Sequence, residues 1–140
     1  MEECIRFGVS LSRHLLGRFD QAIEQRGYTN RSEAIRDLIR HNLVDTEWED
    51  NAESDTAAAV VLVYDHHTRG LTEHLTEQQH EHHETIISTM HAHLDHDNCI
   101  EVILLRGPVA EVKSLGHKLT SAKHVKLGRF IPATLGKDIR

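Results

Sequence analysis

The chain has 140 residues, 39% apolar and 27% charged, with a formal net charge of −6. These values suit one ordinary globular domain or two small ones, and they argue against a disordered, collagen-like or disulfide-stapled chain. No apolar run approaches the roughly 18 residues that a membrane helix needs, and the opening MEECIRFGVS lacks the basic start and apolar core of a signal peptide. Two cysteines without an export signal read as reduced thiols of a cytoplasmic protein.

Charge is unevenly distributed. Residues 5–44 carry seven arginines and no lysine against four carboxylates, whereas residues 45–140 carry nine basic and sixteen acidic groups. A basic segment on an acidic body suggests an anionic partner at one end, nucleic acid among the candidates. Residues 5–11, IRFGVSL, alternate: Ile5, Phe7, Val9 and Leu11 fall on one face, Arg6, Gly8 and Ser10 on the other. Such alternation predicts a half-buried strand. Leu15, Leu16, Phe19, Ala22 and Ile23 then recur at helical spacing, with Ser12 as cap and Gly27 as stop. A second helix follows, where Asn30 and Glu33 have the spacing of a capping box and Ala34, Ile35, Leu38, Ile39 and Leu43 form the apolar stripe. A strand and two helices within about 40 residues bury too little surface to fold alone. The single strand also lacks a partner in its own unit. Two copies pairing their strands into a ribbon would resolve both problems.

Residues 46–56 are polar and acidic and predict a linker between a domain at 1–45 and one at 57–140, with Trp48 as the one residue that could dock. Beyond it, 57–65 reads as a buried strand, 70–84 as a helix anchored by Leu71 and Leu75, and 85–97 and 99–107 as strands joined at Asp97-Asn98. Pro108 suits the first turn of a helix running to about Ala122, and 124–133 alternates as a final strand. The order β-α-β-β-α-β is the split βαβ, ferredoxin-like arrangement, so the expected class is α+β.

Histidine is the composition's outlier. Of 13 histidines, nine lie between His66 and His96, interleaved with other residues rather than clustered as a tag. His91 and His93, two apart on a strand, put their rings on one face. Cys99 opens the next antiparallel strand and can lie beside them. Two imidazoles and a thiolate from one hairpin form a candidate metal site that needs a further ligand, with His80, His82 and His83 on offer. Zinc is the default for mixed His and Cys ligands; Ni(II) or Cu(II) would favour a planar set. Spacing leaves the choice open.

Two motifs together identify what the chain resembles: Gly27-Tyr28-Thr29-Asn30-Arg31-Ser32-Glu33-Ala34-Ile35-Arg36-Asp37 in the strand–helix–helix unit, and His80-x10-His91-x-His93-x5-Cys99. In this order they resemble the nickel-responsive transcriptional regulator family over nearly the whole chain. The resemblance implies an N-terminal ribbon-helix-helix DNA-binding domain and a C-terminal ACT-type regulatory domain in a homotetramer, a dimer of dimers. It implies one Ni(II) per chain, held by His91, His93 and Cys99 of one subunit and His80 of another. It implies repression of nickel-uptake genes at a palindromic double-stranded DNA operator. Arg6, Gly8 and Ser10 would face the major groove, where an arginine reads guanine in bidentate fashion. Gly8 departs from the family, whose members carry a polar residue there, typically threonine. Asn30 and Arg31 would meet backbone phosphate at the second helix's N-terminus, and Arg69 matches a basic loop onto DNA. Glu33 and Asp37 match a pair that binds a K+-like cation; the alternative is ion pairing with Arg36 or Arg40. Glu101, on the strand face of Cys99, is expected to support the ligands; a solvated charge is the alternative. Rival readings are a ribbon-helix-helix regulator sensing copper, cobalt or zinc, an antitoxin-like interaction module, an amino-acid-binding ACT domain, and a metalloenzyme. The last would need an open coordination position, which four protein ligands in a plane do not leave.

Overall fold

The computed structural model describes residues 2–139 and divides into two compact units, residues 1–41 and 42–140. The first unit contains α1 (Arg13–Gln25) and the start of α2 (Arg31–Asp50). Ser12 caps α1 as expected, its hydroxyl accepting the Leu15 N–H at 3.2 Å. The helix ends at Gly27, whose φ of 85° lets the Gly27 and Tyr28 N–H groups donate back to Glu24 and Ile23. This is a Schellman closure, which a β-carbon would strain. Asn30 caps α2 by accepting the Glu33 N–H at 2.9 Å.

The strand expected over residues 5–11 is not formed: this segment has no regular secondary structure and is exposed throughout. A ladder requires a second backbone, and the described residues of this unit supply a single such segment. Ile5 is 84% and Phe7 69% exposed, and Ala34 is the unit's one buried apolar residue among those described. A groove of about 1000 Å³ is lined by Ile5, Phe7, Val9, Leu16, Phe19 and Ile39 among others.

The expected linker is also corrected. The second helix continues to Asp50, so residues 46–50 are helical, and β1 (Asp55–Asp65) already begins two residues before 57. Packing explains this. Val44 and Trp48, one helical turn apart, lie against the core of the second unit, and the Trp48 indole N–H donates to the Ala133 carbonyl at 2.8 Å. Burial of one face holds a helix whose composition alone is indifferent.

The second unit continues with α3 (Leu71–Glu81), β2 (Ile86–His93), β3 (Asn98–Pro108), α4 (Val109–Thr120) and β4 (Leu127–Pro132). The sheet is antiparallel in the order β2-β3-β1-β4, so the chain has the α+β, βαββαβ fold expected of it. Val60, Leu62 and Tyr64 of β1 and Ile103 and Leu105 of β3 meet Leu71 and Leu75 of α3 and Val112, Leu115 and Leu119 of α4. Close approach is bought by glycine at two points. A Cβ on Gly116 would sit 2.4 Å from the Phe130 ring, and one on Gly128 would sit 2.5 Å from the Thr120 carbonyl oxygen.

Helices cover one face of the sheet. The register places Val61, Val63, Ile100, Val102, Leu104, Met90, Leu127 and Ile131 on the other. Met90 and Ile131 are 67% and 49% exposed, so this face is apolar and uncovered in the single chain.

Candidate metal centre

The strand β2 ends at His93, short of the expected 97, because the Asp95 carboxylate gathers the N–H groups of Asp97 (2.9 Å) and Asn98 (2.7 Å) into a tight turn. Those donors, with the Asn98 side chain, pull the Asp95 carboxyl down to about 2. The turn sets the register that follows: His93 lies directly opposite Cys99, and His91 opposite Glu101. Cross-strand partners share a face, so all four side chains lie on the face that bears the helices. The His91 and His93 ring centroids are 5.4 Å apart. Both rings are exposed on the edge strand, while Cys99 is buried and its thiol donates to the Tyr64 carbonyl at 3.4 Å.

Glu101 is buried and hydrogen-bonded. Tyr64 Oη donates to its Oε2 at 3.2 Å and Gln79 Nε2 to its Oε1 at 2.8 Å. The solvated-charge alternative for Glu101 therefore falls. Tyr64, which sequence reasoning missed, organises this corner: it pairs with Cys99 across β1 and β3 and stacks parallel to His91 with centroids 6.3 Å apart. Burial, then the neighbouring Glu101 carboxylate, push its hydroxyl well above the ordinary tyrosine range, so it stays a proton donor. Burial likewise pushes the Cys99 thiol up; the Tyr64 side chain opposes this, and the Glu101 and Asp65 carboxylates add to it. A metal at Cys99 would bind the thiolate, so its binding would release the thiol proton.

The donor types suit a borderline transition-metal ion, two imidazoles and a sulfur at neighbouring positions of adjacent strands, but within the single chain their ligand atoms do not come together within 4.8 Å of one another. His80 does not join them within its own chain. It is exposed in the last turn of α3, one position beyond Gln79, which is the residue that turns inward onto Glu101.

The other expected residues are spread over the structure. Arg6, Gly8 and Ser10 lie in the exposed N-terminal segment, and a β-carbon on Gly8 would meet nothing within 4 Å. Asn30 spends its carbonyl oxygen on the helix cap, and Arg31 is held by Asp20 through two bonds of 2.7 and 2.8 Å. Glu33 pairs with Arg36 and, at 3.7 Å, with Arg40; Asp37 accepts from Tyr28 Oη and from Arg40 at 2.9 Å. Arg69 is exposed in the loop before α3 and shares a cleft of about 270 Å³ with His74, Lys123 and His124. The basic pair Lys123-His124 stands 54 positions from Arg69, a distance that hides the grouping from sequence reading.

Comparison with known proteins decides the family. Residues 57–132 match the model described as the NikR C-terminal nickel-binding domain, and residues 5–46 match that of the ribbon-helix-helix protein, copG family. Proteins of Geobacter sulfurreducens and Geobacter metallireducens named as nickel-responsive regulators are 52% and 50% identical over 139 residues, covering 99% of each chain. The chain belongs to the nickel-responsive regulator family. A relative from Solibacter usitatus with the same name is 52% identical over 135 residues, 96% of each chain. Of solved structures, an uncharacterized protein from Thermotoga maritima aligns over 58% of this chain and all of its own, with a TM-score of 0.51 at 15% identity; it shows the fold alone. As a nickel-responsive regulator with a ribbon-helix-helix domain, the chain is not an enzyme. No helix of the described residues is long and apolar enough to cross a membrane.

Proposed function

We propose that the protein is a cytoplasmic transcriptional repressor for which Ni(II), one ion per chain, is the co-repressor at a palindromic operator of nickel-uptake genes. His91, His93 and Cys99 would hold the ion together with His80 of another subunit. The observation that carries this reading is the register of β2 on β3, which sets the Cys99 thiol opposite His93 with the His91 ring alongside. Imidazole and thiolate suit planar Ni(II). Copper binds the same donors more tightly by the usual affinity order, so tight copper binding would not decide the physiological metal. The relatives' name favours nickel over copper, cobalt or zinc.

A homotetramer accounts for two uncovered surfaces. In the first unit, Ile5, Phe7, Val9 and Leu11 await a second copy whose matching segment would complete a two-stranded ribbon. In the second, the apolar face of the sheet awaits another sheet, since exposed apolar surface on this scale marks an interface. Each surface would pair a different couple of chains, giving a dimer of dimers.

On DNA, the ribbon would present Arg6, Gly8 and Ser10 to base edges, with Arg6 reading guanine. Arg69, with Lys123 near it, would meet phosphate and contribute salt-dependent affinity. A K+-like cation at Glu33 and Asp37 would take those carboxylates from Arg36 and Arg40.

The test is selection of duplexes from a random pool by the full chain with and without nickel. Enrichment of a palindrome only with nickel, and only with Cys99 intact, supports the reading. Equal enrichment without metal, or in Cys99→Ala, contradicts it.

A further inference from the structure

The arginines of the N-terminal unit divide into two groups. Arg31 is held by Asp20 at 2.7 Å, Arg36 by Glu33, and Arg40 by Asp37 at 2.9 Å. Among the described residues, Arg6, Arg13, Arg18 and Arg26 form no ion pair. Arg6 belongs to the set proposed for the groove. Arg13 and Arg18 lie on α1, where no partner has yet been assigned.

The helix itself does not account for them. At 3.6 residues per turn, Leu15, Leu16, Phe19 and Ile23 share one side of α1, and Arg13, His14, Gly17 and Arg18 fall on the opposite half. All four are exposed, and a β-carbon on Gly17 would meet nothing within 4 Å, so the patch is open. Side chains three and four positions on are those that can supply a counter-charge. There Arg13 meets Leu16 and Gly17, His14 meets Gly17 and Arg18, and Arg18 meets Gln21 and Ala22. The first turn holds no carboxylate. Helix N-termini favour acidic side chains and disfavour basic ones, so Arg13 stands where the helix gains nothing from it. A partner outside the chain accounts for a cation in that place.

The position along the chain indicates which partner. Arg13 follows Ser10 by three residues, at most about 10 Å of chain. The major groove is about 12 Å wide, so a chain leaving it after Ser10 reaches a row of phosphates within that length. We propose that Arg13 and Arg18, with the His14 ring between them, bind the phosphates of duplex DNA beside the groove that the ribbon occupies. Helix α1 is then part of the DNA-binding surface and adds affinity and orientation rather than base recognition. The inference rests on the reading of Arg6, Gly8 and Ser10 as groove-facing, and continuity with that segment favours DNA over an acidic protein. Gly8 removes one base contact, and backbone contacts from α1 offset that loss.

The test is titration of the full chain against a long duplex of mixed sequence at several salt concentrations, with and without nickel, read by fluorescence anisotropy. It compares wild type, Arg13→Gln/Arg18→Gln, Arg13→Lys/Arg18→Lys, and the control pair Lys113→Gln/Lys118→Gln on α4, with circular dichroism to verify folding. Each cation on a phosphate contributes about 0.9 to the slope of log affinity against log salt. The glutamine pair on α1 should therefore lower the slope by about 1.8 per bound chain, and the affinity near 0.1 M salt at least about tenfold. The lysine pair and the α4 pair should keep the wild-type slope. Removing cations from a helix N-terminus should not lower the thermal midpoint. The proposal is overturned if the α1 glutamine pair keeps the wild-type slope, or if the lysine pair or the α4 pair loses as much. It is also overturned if wild type holds no duplex at low salt. Because the duplex carries no operator, absence of any nickel effect counts against the co-repressor reading and not against the α1 contacts.

Discussion

Tyr64→Phe removes one oxygen from the corner beside the proposed metal ligands. The lost bond runs from the Tyr64 hydroxyl to a buried carboxylate, Glu101, at 3.2 Å. Hydrogen bonds to charged groups contribute about 1.5–3 kcal/mol. The length of this one and the remaining donor, Gln79 at 2.8 Å, place it at the lower end, about 1.5 kcal/mol. With an m-value of about 1.5 kcal/mol/M in urea, the unfolding midpoint of the metal-free chain should fall by about 1 M at fixed protein concentration. A double-mutant cycle with Glu101→Gln should return a coupling of about 1 kcal/mol. The ring stack on His91 remains, and Cys99 donates to the Tyr64 backbone carbonyl, so nickel stoichiometry should be unchanged. A loss below about 0.5 kcal/mol, the range of surface substitutions, would refute the idea that this bond secures Glu101.

Other consequences follow from single contacts. Gly128→Ala places a Cβ 2.5 Å from a backbone oxygen that cannot rotate away, and should cost about 1–3 kcal/mol in urea unfolding. Asp20→Asn releases Arg31; the freed guanidinium should raise DNA affinity at low salt and steepen the salt dependence of binding, read by titration at several ionic strengths. The same pair sets a pH dependence. The hydrogen bond from Arg31 lowers the Asp20 pKa, so its stabilisation is present above the ordinary carboxylate value near 3.8 and is lost as pH falls through the lowered one. The stability gap between wild type and Asp20→Asn should therefore be constant at neutral pH and close on acidification. Phe7→Asp should prevent ribbon pairing and lower the oligomeric state seen by sedimentation, because Phe7 is 69% exposed in the single chain.

Local chemistry was the part of the structure legible in the sequence. Ser12, Gly27 and Asn30 cap and stop the first two helices as their types imply, and the alternation of β1 matches its buried Val60, Leu62 and Tyr64. The boundaries that moved were those set by tertiary contact. Trp48 holds five residues of an acidic tract in helix, and the Asp95 clamp ends β2 at His93. The segment 5–11 carries the pattern of a strand but not its hydrogen-bond partner, a property of two chains that one chain cannot display. Among the proposed ligands, the neighbourhood of His91, His93 and Cys99 on one hairpin was visible because their spacing is local. Tyr64 and Gln79 were not, since register and helix packing bring them to Glu101 from 37 and 22 positions away.

The most direct test of the account is optical absorption during nickel titration of the full chain and of Cys99→Ala. A near-ultraviolet sulfur-to-nickel charge-transfer band, saturating at one equivalent per chain and absent in Cys99→Ala, is the predicted result. No band, or a band that persists without Cys99, would contradict a nickel centre built on the β2–β3 hairpin.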